Sequence, residues 1–186
     1  MSLRHGLLGL LAEGPASGYD LTRRFEQVLG SVWPAGHPQI YSELSKLAAE
    51  GFIEIDSEGP RGRKAYRITD AGRAEIHRWL TASGEVDHTM RFQPLLRSFF
   101  FWLMEPEEMI EHLRREAEFF AATAERYRSY AAAKDRGEFP DTPQNRSLRI
   151  AIEGGVRLYA ALADWARWAA DRASAEQGWP DTGSRR

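Results

Sequence analysis

The chain has 186 residues, 42% of them hydrophobic and 28% charged, with a net charge of -2, the profile of a folded protein with room for one full domain and a smaller second unit. Cysteine is absent, which excludes disulfides, thiolate zinc sites and a cysteine nucleophile. Ten Lys/Arg balance ten Asp/Glu in the first 82 residues, so affinity for a polyanion has to come from local clustering rather than bulk charge.

Leu3, Leu7, Leu8 and Leu11 recur at helical spacing until Gly14-Pro15. Arg4 ahead of this apolar run gives it the look of a secretion signal, but Glu13 closes the run and no A-x-A-like site follows. It therefore reads as a first core helix. Ser17, three residues before Asp20, is an N-cap with a nearby carboxylate. The helix it starts is expected to bury Leu21, Phe25 and either Val28 or Leu29, and to end at Gly30. After a Trp33-Pro34-Ala35-Gly36 loop, Pro38 suits the first turn of a third helix running to about Glu50 before Gly51. The period then changes. Phe52 to Asp56, with Ile53 and Ile55 alternating, and Lys64 to Thr69, with Tyr66 and Ile68 alternating, read as two strands joined by a Glu58-Gly59-Pro60-Arg61-Gly62 tip. Thr69 or Asp70 starts a fourth helix carrying Ile76, Trp79 and Leu80.

Residues 83–89 read as a polar hinge between a domain at 1–82 and a wholly helical one at 90–176, with 177–186 as a flexible tail. In the second domain Pro94 opens a short apolar helix, and Pro106-Glu107-Glu108 opens a long one with acids suited to a helix N-terminus. A last helix places Leu148, Ile152, Gly155, Tyr159, Leu162, Ala166, Ala169 and Ala173 in alternating steps of four and three, a heptad-like seam. The Gly154-Gly155 pair inside it implies another helix approaching closely. The apolar stretch from Leu95 to Met104, broken by Arg97 and Ser98, is too short to span a bilayer. A cytoplasmic protein without a membrane partner is expected.

Three helices followed by two strands make a winged helix-turn-helix pattern, in which one helix fits the major groove and a hairpin reaches the adjacent backbone. At about 100° per residue, Ile40, Leu44, Leu47 and Ala48 share one face of the third helix, while Pro38, Gln39, Ser42, Ser45, Lys46 and Ala49 share the other and Tyr41 lies on the flank. Gln can bond adenine, Ser a base or phosphate, and Lys guanine or phosphate. Arg61, Arg63 and Lys64 make the hairpin tip cationic, between glycines that permit close backbone approach. An outward polar face and a solvated turn would explain either feature alone; their order along the chain favours double-stranded DNA as partner. The alternative is a winged helix used only for protein–protein contact.

Leu7-Leu8-Gly9-Leu10-Leu11-Ala12-Glu13-Gly14-Pro15 with Ser17-Gly18-Tyr19-Asp20-Leu21, then His37-Pro38-Gln39-Ile40-Tyr41 through Gly51-Phe52-Ile53, then Gly59-Pro60-Arg61-Gly62-Arg63-Lys64 with Tyr66, Ile68, Thr69 and Gly72, resemble the PadR family of bacterial regulators over residues 3–82. Residues 90–175, with Leu95-Leu96-Arg97 and Phe99-Phe100 before Pro106-Glu107, resemble the long helical C-terminal domain of the subfamily nearest to PadR itself. The resemblance implies a transcription regulator, usually a repressor, acting on a palindromic operator as a homodimer joined through its C-terminal helices. Carried over by position, it places Tyr19 on phosphate, His37, Gln39, Tyr41, Ser42 and Lys46 against DNA, and Arg61, Arg63 and Lys64 in the wing. The expected dimer spans 106–136 and 146–175 through Leu113, Phe120, Leu148, Ile152, Gly155, Tyr159 and Leu162.

Phe92, Phe99, Phe100, Phe101 and Trp102 cluster beside the hinge, and they suit either a core and dimer interface or an apolar pocket for a small aromatic effector, which would take Phe92, Phe99, Phe100 and Trp102. The five histidines are scattered, and the Glu108/His112 pair reads as solvated helix charge rather than a metal site. No Walker loop, nucleophile elbow or dinucleotide fingerprint occurs, so no catalysis, cofactor or metal is expected.

Overall fold

A computed structural model describes residues 2–30, 32–59, 62–82 and 91–175. Arg61, the hinge at 83–89 and the tail at 177–186 lie outside the described residues. The chain divides into two compact units, Met1–His88 and Thr89–Arg186.

The first unit is built around α1 (Ser2–Ala12). Leu7, Leu8, Leu10 and Leu11 are all buried, so the helix is apolar around most of its girth, as a helix enclosed by neighbours must be. α2 (Gly18–Val28), α3 (His37–Ala49), α4 (Asp70–Thr81) and β3 (Arg63–Ile68) enclose it. Ser17 caps α2: its hydroxyl accepts the Asp20 amide at 3.2 Å and donates to the Asp20 carboxylate at 2.6 Å. Leu21, Phe25 and Leu29 face the core while Val28 is exposed, because Phe25 and Leu29 close over Gly6, where a Cβ would stand 2.8 and 3.0 Å from them.

α3 buries Ile40, Leu44 and Leu47. Ala48, expected with them, is exposed: it lies at the edge of the apolar arc, beyond the reach of α1. The helix ends in a Schellman motif, with Phe52 N–H donating to Leu47 O at 2.9 Å, Gly51 N–H donating to Ala48 O at 3.1 Å, and Gly51 at φ +76°. β2 (Ile53–Gly59) and β3 form the hairpin, paired from Ile53↔Ile68 to Gly59↔Arg63 with a bulge between Ile55 and Ser57. Ile53 is buried but Ile55 is half exposed, since the hairpin has left the core by that point. β3 also pairs with a two-residue strand, β1 (Ala16–Ser17), too short to register as a period-2 pattern. Thr69 caps α4 by accepting the Gly72 amide at 3.1 Å. Of α4's apolar residues only Ile76 packs on the core; Trp79 and Leu80 are exposed along much of their surface. Trp79 stacks on the buried His5 at 4.6 Å, and His5 Nε2 lies 3.2 Å from Glu75 Oε1.

The second unit comprises α5 (Gln93–Ser98), a 3₁₀ turn (Phe101–Leu103), α6 (Pro106–Asp135) and α7 (Pro143–Ala175). The two long helices form an antiparallel hairpin: Met109 and Leu113 meet Ala170 and Ala173 at one end, Ala117 and Phe120 meet Ala163 and Ala166 mid-way, and Asp135 meets Arg149 near the turn. Large side chains on α6 face alanines on α7, which lets the two backbones come close. The buried seam of α7 runs through Ile152, Ala163, Ala166, Ala170 and Ala173. Leu162 and Ala169 are half-buried beside the buried Ala163 and Ala170, a one-residue offset from the heptad expectation at those two steps, while Ala166 and Ala173 are buried as expected. Phe92, Phe120, Tyr159 and Tyr127 make a ladder of ring contacts at 6.1, 6.3 and 5.7 Å. At the hairpin end, Arg149 Nε and Nη2 donate to the Asp135 carboxylate at 2.8 and 3.0 Å.

Candidate nucleic-acid interface

α2 and α3 are the helix-turn-helix pair, and β2–β3 is the wing. The start of α2, the flank of α3 and the root of the wing converge on one open groove of about 380 Å³, lined by Ser17, Gly18, Tyr19, Tyr41, Gly62, Arg63, Lys64 and Tyr66. Ser17, capping the Asp20 amide at the start of α2, sets Gly18 and Tyr19 in the first turn, where both line this groove. Tyr41 reaches it because Gly18 has no side chain: a Cβ there would stand 2.7 Å from Tyr41 Cε1 and 3.3 Å from its hydroxyl. Four of the residues expected to meet DNA, Tyr19, Tyr41, Arg63 and Lys64, are thus neighbours although they come from three elements.

The two described wing cations differ. Arg63 Nη2 donates to Ser17 Oγ at 3.0 Å and to Asp20 Oδ2 at 2.7 Å, so it ties the wing to the start of α2. The Ser17 hydroxyl first, and Arg63 with it, hold the Asp20 carboxyl below its ordinary pKa. Lys64 is exposed and has no ion pair among the described residues.

On α3, His37, Gln39, Ser42, Ser45 and Lys46 are exposed together. His37 Nε2 is 3.6 Å from Glu26 Oε1. Gln39 has a role that its outward position did not reveal: its Oε1 accepts the Gly36 N–H at 3.0 Å, closing the first turn of the helix. Its amide nitrogen remains available as a donor. Lys46 Nζ lies 3.7 Å from Glu43 Oε2. Arg4 of α1, which the residue pattern marked only as a charge before an apolar run, donates to Glu43 of α3 and to Glu50 at its C-cap: Nε to Glu43 at 3.1 Å, and Nη2 to the two Glu50 oxygens at 2.8 and 2.9 Å. These bonds, Glu50's foremost, hold the Arg4 pKa above its ordinary value. No local signal marks that role, since the partners lie about forty residues away.

Residues 7–78 match the family described as Transcriptional regulator PadR-like family, and residues 90–173 match the family described as Virulence activator alpha C-term. Residues 7–78 thus carry a domain of the PadR-like transcriptional regulator type. The chain's relatives include the Negative transcriptional regulator PadR of Bacillus subtilis (strain 168), 38% identical over 109 residues that cover 57% of this chain and 60% of that protein. Among solved structures it is similar to Bacillus subtilis PadR in complex with operator DNA, with a TM-score of 0.81, 24% identity and coverage of 93% of this chain and 99% of that one. It is also similar to Bacillus subtilis PadR in complex with p-coumaric acid, with a TM-score of 0.78, 26% identity and coverage of 94% and 99%. The fold is the winged helix-turn-helix of these PadR-like regulators, joined to a helical second unit.

In that second unit, Leu113, Phe120 and Ile152 are buried within the single chain, in the α6–α7 hairpin itself, rather than held open for a partner. Gly155 likewise faces Tyr127 of the same chain, whose ring carbons would lie 2.7 to 3.0 Å from an added Cβ; Gly154 faces open space. Tyr159, Leu162 and Leu148 are half-buried. Of the aromatics expected to line an effector pocket, Phe92 packs on Phe120, whereas Phe99, Phe100 and Trp102 are 71%, 54% and 55% exposed in the single chain; Phe101 is the buried one. His112 packs edge-on against Phe101 at 5.7 Å. Among the described residues no three His, Asp or Glu side chains are placed to hold a metal, and no helix is long and apolar enough to cross a membrane.

Proposed function

We propose that this PadR-like regulator binds double-stranded DNA with α3 in the major groove and the Tyr19–Tyr41–Lys64 groove on a phosphate, acting as a homodimeric repressor on a palindromic operator. The observation that carries this reading is the convergence of two phenols and a lysine, unpaired among the described residues, on one open groove at the start of α2 and the flank of α3. Such a grouping suits a phosphate oxygen, because the phenols donate while Lys64 supplies charge. Bacillus subtilis PadR, whose fold matches, has been solved in complex with operator DNA, which supports DNA as the partner. That protein's complex with p-coumaric acid supports release by a small aromatic carboxylate, and the location of the protein is the cytoplasm, where its DNA lies.

DNA selection followed by anisotropy titration over a range of salt tests the reading. Lys64→Ala is expected to weaken selected and random DNA alike and to flatten the log–log salt dependence by about one unit, the signature of one lost phosphate contact. An unchanged slope takes Lys64 off the DNA. A wild-type chain with no affinity for DNA supports instead a winged helix that contacts only proteins.

A further inference from the structure

Glu43 of α3 and Glu50 at its C-cap lie on the flank next to Lys46, which is an awkward charge distribution for a helix that enters a groove lined by phosphates. Arg4 answers both acids at once: Nε donates to Glu43 Oε1 at 3.1 Å and Nη2 to Glu50 at 2.8 and 2.9 Å, while the guanidinium lies 5.8 Å from the Phe52 ring centre. Glu43 is mostly covered in this arrangement. Arg4, Lys46, Glu43 and Glu50 together sum to zero charge, and without Arg4 the flank would carry one net negative charge. DNA phosphates next to α3 would fall within about one screening length, roughly 8 Å at physiological salt, so that charge would be felt.

We infer that Arg4 is a positioning residue for DNA binding: it draws Glu43 and Glu50 onto α1 and cancels their charge, so that the polar face of α3 approaches the phosphate backbone without repulsion. The inference rests on the reading that α3 enters DNA. A purely mechanical role for Arg4, fastening α3 to α1, is the rival account. The two differ in what neutral glutamines do, since Gln fills the space of Glu and removes its charge.

The test compares wild type, Arg4→Met, Glu43→Gln/Glu50→Gln and the triple variant, by DNA anisotropy at low and high salt with thermal unfolding alongside. Arg4→Met is expected to weaken binding to selected and random DNA by about tenfold at low salt, with the loss shrinking as salt screens it. The triple variant is expected to return to within about twofold of wild type. Glu43→Gln/Glu50→Gln, which leaves the Arg4 charge uncompensated, is expected to bind more tightly than wild type at low salt. That double variant decides the matter even if Arg4→Met fails to fold. A triple variant as weak as Arg4→Met, or a double variant no tighter than wild type, overturns the inference. Loss of all DNA binding by wild type would overturn the underlying reading instead.

Discussion

Gln39 serves two ends of one side chain, because its oxygen closes the first turn of α3 on Gly36 N–H while its nitrogen faces outward. Gln39→Ala is therefore expected to lower the ratio of specific to non-specific affinity and to cost about 1 kcal/mol of stability through the lost cap. Gln39→Glu separates the two, as it keeps an acceptor for Gly36 and removes the donor; thermal melting near wild type with weakened DNA binding is the expected pair of results. Acid sensitivity also belongs to single residues. Asp20 is held below its ordinary pKa by Ser17 and then Arg63, and Glu75 by Arg78 and then His5. A carboxyl whose folded pKa is depressed contributes stability above its unfolded pKa and loses it as pH falls through the folded one. Denaturant midpoints are thus expected to hold steady from neutral pH to about pH 5 and to fall below about pH 4. Asp20→Asn should remove part of that fall; a midpoint that rises on acidification would contradict it.

At the scale of elements, the long hairpin turns on one glycine and not its neighbour. Gly155 faces the Tyr127 ring and Gly154 faces open space, so the pair responds oppositely to the same change. Gly154→Ala is expected to stabilise by about 0.5–1 kcal/mol through helix propensity alone. Gly155→Ala has to displace Tyr127, which also stacks on Tyr159 at 5.7 Å, and is expected to destabilise by about 1–3 kcal/mol. Calorimetry on both variants checks the contrast. The wing shows similar division of labour: Arg63 fastens β3 to α2, and Lys64 is left to meet solvent or phosphate.

For the whole molecule, the outer faces of the second unit matter more than its seam. Leu96, Phe99, Leu103, Phe119, Ile150 and Trp168 are each at least 60% exposed in the single chain, and a folded monomer rarely leaves that much apolar surface to water. Because α6 and α7 have already spent Leu113, Phe120 and Ile152 on each other, a second copy is expected to meet these outer residues. Light scattering should give twice the chain mass for wild type at micromolar concentration. Phe119→Ser/Trp168→Ser should give one chain mass with helicity unchanged, and a wild-type monomer would sink the dimer.

Local chemistry makes much of this architecture legible in the sequence. Ser17 before Asp20, Pro38 in a first turn and Gly51 after a last one act on their own backbone neighbours, so their effects do not depend on distant packing. Side-chain period separated the buried from the outward face of α3 for the same reason. Tertiary structure alone decided which partner each of those faces found. Arg63 with Asp20, Arg4 with Glu43 and Glu50, and Gly155 with Tyr127 join residues 28 to 46 positions apart. A helical period says that a face is apolar, but not whether its own chain or a second copy will cover it. That is why Phe120 and Ile152 lie inside the hairpin while Phe99 and Trp102 remain outside.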